Sequence, residues 1–207
     1  MGCGAPETLA GDQGALTLLA YAPTGSMADT AITPGIRADL ARQGAGLDIM
    51  ELSPALCAIR AVTATQADQP DADDVLLAGV ADDARALFRE GDKLVIDVAA
   101  ADEPRYVSVD YVVHTGEVAH LHPAGDDGHL PAGEALRLGD GSNGPAWQIG
   151  APFGEDLVLV SLSTSPFGAD RQPGEESAEA YRARLQQRLQ AGEPVRVFER
   201  VIETRAR

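Results

Sequence analysis

A chain of 207 residues, 44% of them hydrophobic, can bury one large core or two small ones, but with 4% aromatic residues that core must be packed mainly from Leu, Val, Ile and Ala. Acidic residues number 32 against 16 basic ones, a formal charge of −16 whose field repels nucleic-acid phosphate and anionic lipid, so neither is expected as a partner. No run of about eighteen apolar residues occurs, so nothing reads as a membrane span.

The start, Met1 to Glu7, has neither the basic residues nor the apolar centre of a signal peptide, and no leucine-rich stretch precedes Cys3 as it would in a lipoprotein acceptor. Any export signal or anchor is therefore expected upstream of Met1. Leu16 to Tyr21 reads as a buried strand, broken by Pro23 and Gly25. Met27 to Arg42 takes up helical spacing with Ile36 and Leu40 on one face, and Pro34, as a first-turn proline, sets the start of the helix proper. Gly44 and Gly46 stop it. Leu47 to Leu52 alternates apolar and acidic residues like a half-exposed strand, and Pro54 to Val62 reads as a short helix behind it. Residues 1–64 are thus predicted to form a small β-α-β unit with a trailing helix. Residues 65–74 turn to Gln, Asp and Pro, the composition of a linker, the alternative being a long surface loop within one domain.

Beyond it come strand candidates at Val75–Val80, Lys93–Ala99, Tyr106–Val113, Val118–Leu121 and Leu157–Ser163, separated by polar glycine-containing turns. Glu175 to Leu189 places Tyr181, Leu185 and Leu189 on one helical face, expected to lie over the sheet. Pro194 to Ile202 alternates like a last strand, placed at a sheet edge on account of its arginines. The pattern predicts an α+β fold: the small N-terminal unit, then a mainly antiparallel β-sandwich over residues 75–207 with a C-terminal helix.

Three stretches carry a resemblance. Phe88 to Val98, Tyr106 to Tyr111 with Gly116 to Pro123, and Leu130 to Glu134 leading to Gly150 to Val160 stand in an order that resembles a bacterial β-sandwich domain of unknown function, often appended to protein kinases, caspase-like proteases and anchored surface proteins. The likeness covers roughly residues 75 to 205. It implies the sandwich and brings no catalytic residues with it. The first sixty residues more weakly resemble small α/β modules of bacterial envelope proteins, with a cysteine near each end.

Candidate sites are few. Cys3 and Cys57 cannot make an all-cysteine metal site and have no histidine at ligand spacing, which leaves a disulfide or two thiols. All four histidines, His114, His120, His122 and His129, fall in one stretch with Asp110, Asp126 and Asp127 nearby. On a regular strand His120 and His122 share a face, as a two-histidine chelate with Asp110 needs. A two-residue turn at Thr115–Gly116 puts that face with Val109, Tyr111, Val113 and Val118, and a change of one residue in the turn reverses it. Ser161 and Ser163 lack a nucleophile elbow and read as solvent-facing strand serines. Gly139 to Gly144 has calcium-loop composition without the spaced acids and reads as a flexible hairpin loop. Tyr111, Trp147 and Phe153 are the binding candidates, with Trp147 also expected in the core. No catalytic constellation and no cofactor motif emerge. The expectation is a non-catalytic accessory module of the bacterial envelope, or else of the cytoplasm, that binds another protein or an upstream domain of its own chain. The rivals are a metal-dependent enzyme at His120 and His122 and a structural spacer.

Overall fold

The computed structural model describes residues 3, 7–10, 16–25, 34–65, 74–78, 86–122, 128–166 and 175–207. The fold is α+β, with three sheets among the described residues. Strand β1 (Glu7–Ala10) runs antiparallel to β2 (Leu16–Pro23). Helix α1 (Pro34–Arg42) then returns the chain to β3 (Ala45–Leu52), which pairs parallel with β2. Helix α2 (Pro54–Thr63) follows at once: Ser53 caps it by accepting the Leu56 N–H, and Pro54 sits in the first turn, where no N–H is needed. Its buried stripe is Leu56, Cys57, Ile59 and Arg60.

The large sheet holds β5 (Ala86–Arg89), β7 (Arg105–Val112), β8 (Glu117–His122), β11 (Glu155–Ser163), β12 (Glu175–Ser177) and β13 (Val195–Arg205) in the order β12-β8-β7-β11-β13-β5, with β9 (His129–Leu130) also on β7. A small sheet of β10 (Leu136–Leu138), β6 (Ile96–Val98) and β4 (Val75–Leu77) covers one face. Val107, Val109, Val158, Val160 and Ile202 meet Ile96, Val98, Phe88 and Trp147 in the core between them. Against the other face lie α2, α3 (Ala178–Gln190) and the apolar side of β2 and β3. Leu19, Tyr21, Leu52 and Ile59 there join Val112, Leu157, Leu159, Tyr181 and Leu185 in one continuous core. β11 is buried nearly end to end because it is covered on both faces. A disulfide joins Cys3 to Cys57 across 54 residues and fixes the N-terminus to α2. No helix among the described residues is long and apolar enough to cross a membrane.

Several expectations need correction. β13 is not an edge strand: it pairs antiparallel with β11 and parallel with β5, and Arg196 on it pairs with Asp74 at 3.0 Å. Residues Glu175 to Ser177, assigned to the helix by periodicity, form β12 on β8, and Ser177 caps α3 by accepting the Ala180 N–H. Ser161 and Ser163 face the helices and are buried, not turned to solvent. The Gly139–Gly144 loop is held in place: Asp140 accepts from the Ser142 N–H and hydroxyl and from Arg137, and those bonds, Ser142's foremost, pull its carboxyl below the ordinary range. Residues 66–73 of the expected linker, with Asp126 and Asp127, lie outside the described residues.

Candidate functional site

The hairpin joining β7 to β8 sets the site. Val113 N–H bonds to Glu117 O, so the loop is His114-Thr115-Gly116, three residues rather than the two first inferred, with Gly116 at φ +98°. That one residue reverses the faces. Val112 pairs with Val118, Tyr111 with Ala119 and Asp110 with His120; a register shift between Val109 and Asp110 then sets His122 opposite Val109. Neighbours on a strand point to opposite faces, so His120 turns toward α3 and His122 away from it, and the two do not form a chelate. Among the described residues no three His, Cys, Asp or Glu side chains are grouped to hold a metal.

His120 instead sits between carboxylates. Its Nδ1 is 2.7 Å from Asp110 Oδ1, and its Nε2 is 3.1 Å from Glu176 Oε1, an ion-pair distance at an angle short of a hydrogen bond. The Tyr181 hydroxyl donates to the other oxygen of Asp110 at 2.9 Å, and Arg184 grips both oxygens of Glu176. This chain ties β12 and α3 to the sheet, a structural role that also places the buried Asp110. His129 stands at the far end of β7, edge-on to Tyr106.

On the opposite face the sequence-derived binding candidates converge. Tyr111, Trp147, Leu121, Val113, Gly150 and Pro152 line a half-open cavity of about 250 Å³. Its far wall is the segment from Trp147 to Pro152, stitched to the Gly91–Leu94 turn by Leu94 N–H to Trp147 O and Ile149 N–H to Asp92 O. Trp147 is pressed against Gly139, where a Cβ would stand 2.1 Å from Leu94 O and 2.7 Å from the indole, so only glycine fits. Phe153 packs on the core beside the cavity without lining it.

Behind Tyr111 lies Asp156, fully buried and missed by the sequence reading. The Tyr111 hydroxyl donates to its Oδ2 at 2.6 Å, while His114 gives Oδ1 both its backbone N–H and Nδ1 at 2.8 Å. Thr204 Oγ1 lies 3.3 Å from Oδ2. An acid directly joined to the apolar run Leu157 to Val160 was the available signal. With its hydroxyl engaged, Tyr111 offers the cavity only its ring. Burial, and then the neighbouring carboxylate, push the Tyr111 hydroxyl far above the ordinary tyrosine range. The folded state then keeps a proton that the unfolded chain releases near pH 10, so this contribution to stability is complete below pH 10 and falls as pH rises beyond it. In an ultraviolet titration of tyrosinate absorbance, wild type and Tyr111→Phe are expected to superimpose from pH 9 to 11, until unfolding releases Tyr111.

A larger groove of about 980 Å³ opens between the ends of α2, α3 and β13, lined by Asp102, Gln186, Gln190, Glu193 and Arg196 among others. Size favours it, and Val62, Leu162, Leu189 and Val195 add apolar lining to those polar groups, but none of the binding candidates reaches it. The smaller cavity has both the aromatic wall and a polar group fixed behind it.

No curated protein matches the chain. The resemblance read from three stretches is supported over a narrower span than the one first drawn. The wall of the aromatic cavity, from Leu94 to Pro152, falls inside that span: residues 87–166 match the model of a domain of unknown function, DUF4384.

Proposed function

We propose that this chain is a non-catalytic accessory module of a larger envelope or signalling protein, and that it docks a partner polypeptide by taking one apolar side chain between Tyr111 and Trp147. The observation that carries this is the cavity: two of the chain's few aromatic residues form a concave apolar wall, with the one hydroxyl among them turned inward to Asp156. At about 250 Å³ it is smaller than the roughly 300–1,000 Å³ of small-molecule sites and suits a single side chain. The Cys3–Cys57 bridge supports an oxidising compartment outside the cytoplasm.

Trp147 is the only tryptophan, so its emission reports this wall alone. Titration with N-acetyl-leucine amide is expected to shift that emission saturably, whereas N-acetyl-glutamine amide leaves it unchanged. Gly150 lines the cavity, has ordinary φ and has open space where a Cβ would lie, so Gly150→Leu adds bulk there without a backbone clash. That variant is expected to keep the fold and lose the response by tenfold or more in affinity, about 1.4 kcal/mol. A linear, unsaturable response, or one that Gly150→Leu leaves intact, defeats the reading.

A further inference from the structure

We infer that Asn143 is a self-modifying site: in the folded chain its side-chain amide is lost by cyclisation onto the Gly144 nitrogen, leaving aspartate and isoaspartate. Asn143 is the only asparagine in the sequence, and it stands directly before a glycine. It lies at the tip of the loop that follows β10, where residues 141–146 are all exposed. The base of that loop is held by Trp147 N–H to Gly139 O and by the bonds from Ser142 to Asp140, while the tip stands in solvent. Asn143 lines neither the aromatic cavity nor the larger groove, so the site is separate from both.

The reacting atoms are open. Gly144 N–H has no hydrogen-bond partner among the described residues, so the nucleophilic nitrogen is not engaged elsewhere. Gly144 has φ +122°, a conformation that other residues rarely adopt, and no atom comes within 4 Å of where a Cβ would lie. The Asn143 carboxamide makes one hydrogen bond, Nδ2 donating to Arg137 O at 3.2 Å, and an exposed bond of that length exchanges with water at little cost. Hydroxide takes the Gly144 amide proton. The nitrogen then bonds to Asn143 Cγ as the Cγ–Nδ2 bond breaks, and the amide nitrogen leaves as ammonia. One water opens the cyclic imide at either carbonyl, giving aspartate or, with the chain rerouted through Cγ, isoaspartate. Water is the only reagent consumed. The new carboxylate cannot donate to Arg137 O, so the loop loses its tie to β10 and gains a negative charge in the segment leading to Trp147.

The test incubates the whole chain in mildly alkaline buffer, folded and in urea, and follows Asn143 by mass after digestion at mildly acidic pH. Conversion replaces an amide NH2 by a hydroxyl, and chromatography separates the aspartyl from the isoaspartyl peptide. The folded chain is expected to convert within about tenfold of the rate in urea, the limit for a tip whose local opening costs no more than about 1.4 kcal/mol. The rate should rise with pH, because hydroxide takes part. In Asn143→Gln, where the ring to be closed is larger, the mass should stay unchanged. A folded chain that keeps its amide while the chain in urea loses it overturns the inference, since the fold then protects the site. Conversion in neither state overturns it as well, and so does an equal mass change in Asn143→Gln.

Discussion

Arg60→Ala is expected to destabilise the fold by roughly 3–5 kcal/mol, because it strands a buried carboxylate. Arg60 is 1% exposed on α2; its Nε and Nη2 lie 3.1 and 3.0 Å from Oε1 of Glu199 on β13, whose other oxygen takes the Thr63 hydroxyl. The guanidinium also lies 3.6 Å from the centre of the Tyr21 ring on β2, a desolvated cation–π contact. One side chain thus joins the N-terminal sheet, the helix above it and the large sheet, and removing it leaves Glu199 in a low-dielectric layer. The double variant Arg60→Met, Glu199→Leu replaces both charges with apolar groups and is expected to recover most of the loss. Urea unfolding decides: the single variant should lower the midpoint at unchanged slope, and the double should restore it. A drop below about 1 kcal/mol for Arg60→Ala would show that the pair is screened like a surface one.

Reduction of Cys3–Cys57 is expected to cost about 4 kcal/mol, the chain-entropy value for a 54-residue separation. Both sulfurs are buried with Leu52, Leu56 and Ile59, so the thiols remain packed after reduction and the effect falls mainly on the unfolded chain. Reduction rather than substitution isolates it, since Cys57→Ala would also open a cavity. Unfolding with and without reductant should show a lower midpoint and a steeper slope for the reduced chain, whose denatured ensemble is more expanded. Identical curves would mean that no bridge forms in solution. A bridge in solution would be the feature that fits an oxidising compartment.

Much of this architecture was legible in the sequence wherever one residue acted through its own backbone. Pro54 after Ser53 fixed the start of α2, Pro34 that of α1, and the apolar run of β11 announced a strand, though not that both of its faces are covered. What escaped depended on distant partners. The arginines of β13 read as those of an edge strand because Asp74, the partner of Arg196, is more than a hundred residues away. The β7–β8 loop is one residue longer than expected, by His114, which turns His120 toward Asp110 and Glu176, and the register shift beside Asp110 separates it from His122. Tyr111 and Trp147 stood out because aromatic residues are scarce, and the fold brings them to one wall. Phe153 stood out equally and packs beside it, a difference set by the turn through Ala151 and Pro152 that no periodicity encodes.

The parallel pairing of β5 with β13 has a consequence for synthesis on the ribosome. β5 emerges roughly a hundred residues ahead of the strand that will flank it, an interval of roughly 5 to 20 s at ordinary elongation rates. Throughout that time it cannot form its ladder with β13, and Leu87 stays 42% exposed even in the finished fold. The nascent chain therefore carries a strand waiting for its neighbour, the kind of segment that holding chaperones shield, and the sheet can be completed only when the last stretch of this sequence arrives.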